Sequence, residues 1–212
     1  MMKILILGAH GQIAQLVRTR LLAETDATLT LYLRQATRLS VVDAQRETVV
    51  EGDVNDYATL KAAMAGQDMV LADLGGTFEP MAKNIVQAME ETGVKRLLYI
   101  TGLGLYHELP AKFDAWLERS IGHAVMEDTR RAARIIEDSP LDYTIIRAGY
   151  MTNKDEIDYE LTEKGETFKG TTISRQSIAD LIVKIAKNPA LHSRSSLGIA
   201  KAGTDGDTPV YA

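Results

Sequence analysis

Short, almost unbroken apolar runs alternate along this chain with longer stretches in which apolar residues recur every three or four positions. The first pattern predicts strands buried on both faces, the second helices with one buried stripe. Lys3 to Leu7 reads as a first strand, and Gln12 to Ala23 as a helix with Ile13, Leu16, Val17 and Leu21 on one side. Leu29 to Leu33 and Thr48 to Glu51 are strands two and three. A helix from Tyr57 to Ala65 follows, with Asp56 as its cap. Asp68 to Leu74 is strand four, and Pro80 to Thr92 is a helix that Gly93 ends. Arg96 to Thr101 is strand five, Gly102 to Pro110 a loop, and Trp116 to Glu137 a long helix broken near Gly122. Asp142 to Arg147 is strand six. Beyond Ala148 the pattern predicts a strand within Thr167 to Ile173, a helix over Ser177 to Lys187, and a last strand at Gly198 to Lys201. A mobile tail is expected from Ala202 onward.

Strands that alternate with helices of this length are βαβ units, which build a parallel sheet covered by helices on both faces. The expected fold class is therefore α/β, a doubly wound parallel sheet in a single domain over residues 1–212. Segments 148–175 and 188–212 would form a small C-terminal substrate side and tail.

Composition narrows the chemistry. The chain has no cysteine, which removes thiolate nucleophiles and cysteine-based metal sites and fits a reducing compartment. A net charge of −5 argues against a general nucleic-acid binder. The apolar run Ile4 to Leu7 is too short for a signal peptide, and no run is long enough to span a bilayer. A cytoplasmic protein is expected, with neither nucleic acid nor membrane as partner. His10, His107, His123 and His192 are scattered and make no metal-ligand spacing, so no metal is expected.

One turn points to a ligand. Gly8-Ala9-His10-Gly11-Gln12-Ile13-Ala14 lies directly between strand one and helix one. Glycines there permit a tight turn and close approach of the backbone to a diphosphate, which the helix amino end attracts; small Ala14 lets helix and strand pack closely. This is the Rossmann arrangement, although its first glycines are spaced Gly-x-x-Gly rather than Gly-x-Gly. At the end of strand two an NAD binder usually places an acid. This chain has Leu33-Arg34-Gln35-Ala36-Thr37-Arg38, so Arg34 and Arg38 are candidate partners of a 2′-phosphate, and NADP(H) is favoured over NAD(H). Asp53, Val54, Leu74, Gly75 and Gly76 follow strands three and four and are candidates for the same crevice, Asp53 being equally suited to forming a turn.

Together with Leu98-Tyr99-Ile100-Thr101, Leu141 to Gly149 and Ile173-Ser174-Arg175, these residues resemble the atypical short-chain dehydrogenase/reductases. That branch holds NmrA-like proteins and flavin reductases of the biliverdin reductase B type. The resemblance covers about residues 3 to 187. It implies a diphosphate loop at Gly8 to Ile13, an adenosine clamp at Arg34 and Asp53, and a nicotinamide neighbourhood at Thr101 and Ala148-Gly149-Tyr150. The family usually has proline where Ala148 stands, and often aspartate where Ser177 stands.

Typical members of the superfamily use serine on strand five and Tyr-x-x-x-Lys on the next helix, where lysine helps tyrosine give up a proton. Here that helix reads His123 to Ala132, without Tyr or Lys. Tyr57-x-x-x-Lys61 and Tyr150-x-x-x-Lys154 fall on other segments. Thr101 holds the serine's place, and Arg131 is the candidate for the lysine's. Tyr106, Phe113 and Trp116 are candidates for an aromatic platform under a flat acceptor, with hydrophobic packing as the alternative. The expected function is an NAD(P)H-dependent reductase of a small-molecule acceptor such as a quinone or a flavin, the flavin entering as substrate rather than as a bound group. The alternative is an NmrA-like protein that senses NADP and signals to a protein partner. If the arginines read the 2′-phosphate, NADPH binds more tightly than NADH; equal dissociation constants on titration of both would refute that.

Overall fold

In the computed structural model, which describes residues 1–211, the apolar runs lie side by side. β1 (Lys3–Leu7) is central. On one side lie β2 (Thr28–Leu33) and β3 (Glu47–Glu51); on the other lie β4 (Met69–Ala72), β5 (Arg96–Gly102) and β6 (Asp142–Ala148). All pair in parallel in the order β3-β2-β1-β4-β5-β6. β10 (Ser195–Ala200) adds a parallel strand beyond β6, and β8 (Glu160–Thr162) closes that edge antiparallel.

Alternate residues of the inner strands feed two separate cores. Ile4, Ile6, Leu29, Leu31, Leu98 and Ile146 face α1 (Gln12–Glu24) and α6 (Arg175–Lys187). Leu5, Leu7, Val70, Leu97, Tyr99 and Ile145 face α2 (Tyr57–Met64), α3 (Phe78–Thr92) and α5 (His123–Glu137). Because both faces are covered, these strands read as unbroken apolar runs rather than as alternation. The sheet is thus the expected doubly wound α/β fold, and the strand order turns back between β1 and β4.

Several elements differ from the sequence reading. The helix predicted from Trp116 is two helices, α4 (Ala111–Ile121) and α5, parted at Gly122, and α4 begins five residues earlier. The strand expected in Thr167 to Ile173 is three residues long, β9 (Thr172–Ser174). It pairs in parallel with β7 (Tyr150–Thr152) in a small second sheet. Both strands are too short for periodicity to show. α6 starts at Arg175, capped by the Ser174 hydroxyl, which accepts the Ser177 N–H at 3.0 Å. The Ser177 hydroxyl accepts the Asp158 N–H at 3.0 Å and ties down the segment after β7.

Two ion pairs are buried inside the fold. Arg18 of α1 grips Glu47 of β3 through two nitrogens, and Glu47 also accepts the Val42 N–H at 2.7 Å, which fixes the β2–β3 connection. Arg147 of β6 is fully buried. It pairs with Glu108 at 2.7 Å and donates to the carbonyls of Thr162 and Ser196. Glu108 in turn accepts the N–H groups of Gly104 and Tyr106, so one buried pair shapes the loop after β5.

The tail after Ala202 is not loose. Thr204 is fully buried; its hydroxyl accepts the Thr171 N–H at 3.0 Å and donates to the Lys201 carbonyl at 2.7 Å. Val210 donates to the Thr171 hydroxyl and accepts from the Thr172 hydroxyl, each at 2.8 Å. Glycine and aspartate content suggested mobility, but three threonines bind this segment to β9. Thr204→Val keeps the volume and strands these partners, so it lowers unfolding free energy by about 1–3 kcal/mol; an unchanged urea midpoint would contradict this docking.

Candidate functional site

The bend between β1 and α1 carries the main cavity. Gly8 takes φ +79°, and a Cβ there would stand 2.0 Å from the Asp73 carbonyl oxygen, so only glycine fits. The Gly8 and Ala9 N–H groups both donate to the Tyr32 carbonyl, at 3.0 and 3.2 Å, which holds the turn against β2. α1 then begins after Gly11, with no cap from its own N-cap residue. Its first amides lack intrahelical acceptors and, with the helix dipole, make a positive end that faces the crevice at the switch point.

A cavity of about 780 Å³ opens from that end, a volume suited to a small-molecule or cofactor site. Ten of the residues singled out in the sequence line it: Gly8, His10, Gly11, Arg34, Arg38, Asp53, Val54, Leu74, Gly75 and Gly76. Ala9 and Ile13 are buried in the core, which leaves only their main chain toward the turn, and Gln12 is exposed. Arg34 and Arg38 are exposed on the rim, and among the described residues neither guanidinium is in an ion pair. An acid does reach this corner: Glu51 of β3 accepts the Ala36 N–H at 2.7 Å and braces the short 3-10 turn Ala36–Arg38. Asp53 uses one carboxylate oxygen in its own turn, accepting the Asn55 N–H at 2.8 Å. The Tyr32 hydroxyl, pushed up to about 12 by burial and the charges of Asp56 and Asp53, stays neutral and donates to the Asp53 carbonyl at 2.8 Å.

The sequence reading missed Asp73. It follows β4, and its Oδ2 accepts the Ala14 N–H at 3.1 Å, so a carboxylate from another strand caps α1. A Cβ on Gly11 would meet that oxygen at 2.2 Å. The open side of Gly11 is thus filled by this carboxyl as well as facing the crevice. Loss of water raises the Asp73 carboxyl above the ordinary aspartate range, offset in part by the Ala14 N–H and by the Arg175 guanidinium. The available signal was a charged residue directly after the apolar core of strand four, in front of Gly75-Gly76. Tyr32, Gln35, Gly52, Asn55, Thr77 and Met81 also line the cavity and carried no motif.

The other candidates lie further along the sheet's carboxyl edge. Thr101 and Ala148 end β5 and β6, where Thr101 stands opposite Arg147 and Gly102 opposite Ala148. Gly149 passes tightly against Thr171, and Tyr150 opens β7. The hydroxyls of Thr101 and Tyr150 are buried with no hydrogen-bond partner among the described residues. Trp116 packs edge-on to Tyr150, ring centres 5.4 Å apart, and stacks on Phe113 at 6.0 Å. Phe113 itself is core, packed with Leu103, Leu109, Leu117, Met126 and Phe168, and offers no open face. Tyr106 is likewise held inside a network. Its hydroxyl bonds Glu137 and Ser196 at 2.8 Å, and the Arg147 and Lys164 cations lie 5.2 and 4.4 Å from its ring centre. Arg131 does not take the lysine's place: it pairs with Glu79 at 2.6 Å on the outer side of α5 and α3. Tyr57 and Lys61 share one face of α2, where Lys61 pairs with Glu91, and neither lines the cavity; Tyr150 to Lys154 is strand and loop.

A doubly wound sheet with a glycine turn and a cofactor-sized cavity at its switch point defines a dinucleotide-binding protein. The profile of the NAD(P)H-binding family matches residues 8–189, and the chain belongs to that family, within the atypical short-chain dehydrogenase/reductases. A short-chain dehydrogenase/reductase from Veillonella parvula is 30% identical over the whole chain and 99% of its own, with a TM-score of 0.92. A crystal form of a Veillonella short-chain dehydrogenase/reductase in complex with NADP is 31% identical at a TM-score of 0.91, covering 99% of each chain. A Rossmann-fold NAD(P)-binding family protein from Shigella flexneri is 38% identical over the full length of both chains, at 0.84. An NAD(P)H azoreductase of Xenophilus azovorans is 25% identical across 88% of this chain, which spans 64% of that relative's length. No helix among the described residues is long and apolar enough to cross a membrane.

Crowding at the α1 turn gives a direct check. Gly11→Asp adds a second carboxylate where Asp73 already touches, costing about 1–3 kcal/mol of stability by overpacking. NADPH titrated into this variant is expected to give no binding heat; affinity equal to the unmodified protein would place the diphosphate elsewhere.

Proposed function

We propose that the chain is an NADP(H)-dependent reductase that holds the dinucleotide in the 780 Å³ cavity and reduces a flat, conjugated small molecule. The observation that carries this reading is the continuity of that cavity from the α1 amino end to Arg34 and Arg38. One end suits a diphosphate, and the other offers two free cations to a 2′-phosphate. The NADP complex of a similar short-chain dehydrogenase/reductase supports the same choice.

The bound nicotinamide would supply a hydride. The chain's part is to position and to exclude water rather than to donate a proton, since α5 offers Arg130 and Arg131 in ion pairs where a Tyr-Lys pair would stand. The lone hydroxyls of Thr101 and Tyr150 support a nicotinamide or acceptor beside β5 and β6, because a buried hydroxyl without a partner costs about 1–3 kcal/mol that a ligand would relieve. Acceptors that take protons from solvent after hydride transfer, a free flavin or a quinone, suit such a site, and an azo compound fits the same description given the azoreductase relative. Trp116 packs edge-on to Tyr150 and so sets an aromatic surface beside one of those hydroxyls.

The test is NADPH oxidation in the presence of FMN, riboflavin, menadione or an azo dye. Acceptor-dependent turnover is expected with at least one. Tight NADPH binding without turnover of any would replace this reading with an NADP sensor that works through a protein partner.

A further inference from the structure

The amino end of α1 is already answered by an anion of the protein's own. Asp73 reaches it from β4, and its carboxyl lies against Gly11 and on the Ala14 N–H. A diphosphate at this turn would take the remaining first-turn N–H groups, of Gln12 and Ile13, directly beside that carboxyl. Two negative groups at one helix end repel, and the low-dielectric surroundings strengthen that repulsion. The Asp73 backbone is fixed, its N–H by the Leu7 carbonyl at 3.0 Å and its own carbonyl over Gly8, so the carboxyl stays within reach of this helix end through only two side-chain torsions.

We propose that Asp73 makes dinucleotide binding proton-linked: the diphosphate settles on α1 with the Asp73 carboxyl neutral, so binding takes up a proton there. This rests on the cofactor reading above and adds its regulation. A neutral carboxyl keeps one oxygen to accept the Ala14 N–H and gains an O–H that donates to a phosphate oxygen, turning a competitor into a ligand. The free protein already leans this way, because loss of water holds the carboxyl above its ordinary range. The charges around it come from four other elements. Arg175 opens α6 and favours the ionised form, His10 belongs to the β1–α1 turn, Arg34 and Arg38 follow β2, and Asp53 follows β3.

The sign follows from linkage. If the bound state holds a proton that the free state loses, affinity falls as pH rises through the free carboxyl's titration, by at most about tenfold per pH unit. NADPH titrations at about pH 6 to about pH 8.5, by calorimetry in two buffers of different ionisation heat, read both affinity and protons. Asp73→Asn keeps the shape and the acceptor, and Asp73→Ser is a second version should the amide disturb folding. The 2′-phosphate titrates alike in every protein, so differences between proteins isolate residue 73. The dissociation constant of the unmodified protein is expected to rise more steeply with pH than that of either variant. At the alkaline end the variants should bind about tenfold or more tighter, and the unmodified protein should take up more protons than they do.

Parallel pH profiles with equal proton uptake would overturn the proposal while leaving the cofactor site intact. So would a His10→Asn variant that alone loses the slope, since histidine titrates in this range. Absence of NADPH binding by all proteins would remove the cofactor reading and this proposal together.

Discussion

Where α1 begins, N–H groups point out of the protein without partners in their own helix, and the fold has to meet that demand without closing the turn. Asp73 answers the Ala14 N–H from β4, and Gly11 leaves the rest of that end bare. The same device recurs at α3, whose Phe78 and Glu79 N–H groups donate to the Asp128 carboxylate of α5 at 2.6 and 3.1 Å. There the carboxylate closes a structural joint. At α1 it stands inside a cavity at the switch point, which turns a capping residue into part of a binding site.

The rest of the architecture keeps that cavity open and in place. β2 fixes the glycine turn through the Tyr32 carbonyl and fixes the β3 loop through the Tyr32 hydroxyl, so one residue spaces two walls. The Arg18–Glu47 grip draws the β2–β3 connection onto α1, while Glu51 braces the turn that presents Arg38. On the far side the buried Arg147–Glu108 pair orders the loop after β5. Breaking one partner of such a pair costs about 3–5 kcal/mol because the other is left charged and dry. Tyr106 is taken up in this network, and Phe113 in the core beneath Trp116. Of the three aromatic candidates, Trp116 alone has ring contact with Tyr150, which carries one of the unpartnered hydroxyls.

Much of the fold was legible because helices and doubly buried strands impose different periods on the sequence. The runs Ile4 to Leu7, Met69 to Ala72 and Leu97 to Ile100 could hardly be anything but inner strands, and Gly8 between strand and helix marked the turn. Elements of three residues, such as β7, β8 and β9, have too few positions to show a period. The hold of the tail on β9 depends on Thr171, Thr172 and Thr204 meeting across more than thirty positions of chain.

By itself, then, the sequence determined the doubly wound sheet, the place of the glycine turn, and the family to which the chain belongs. These follow from local conformational preference and from burial, and both are written in neighbouring residues. Tertiary structure alone decided which charges meet. Asp73 faces Ala14, separated from it by fifty-nine positions, and Arg131 turns to Glu79 instead of the cavity. Electrostatic interaction depends on distance in space and on the water excluded between groups, and no spacing along the chain records either quantity.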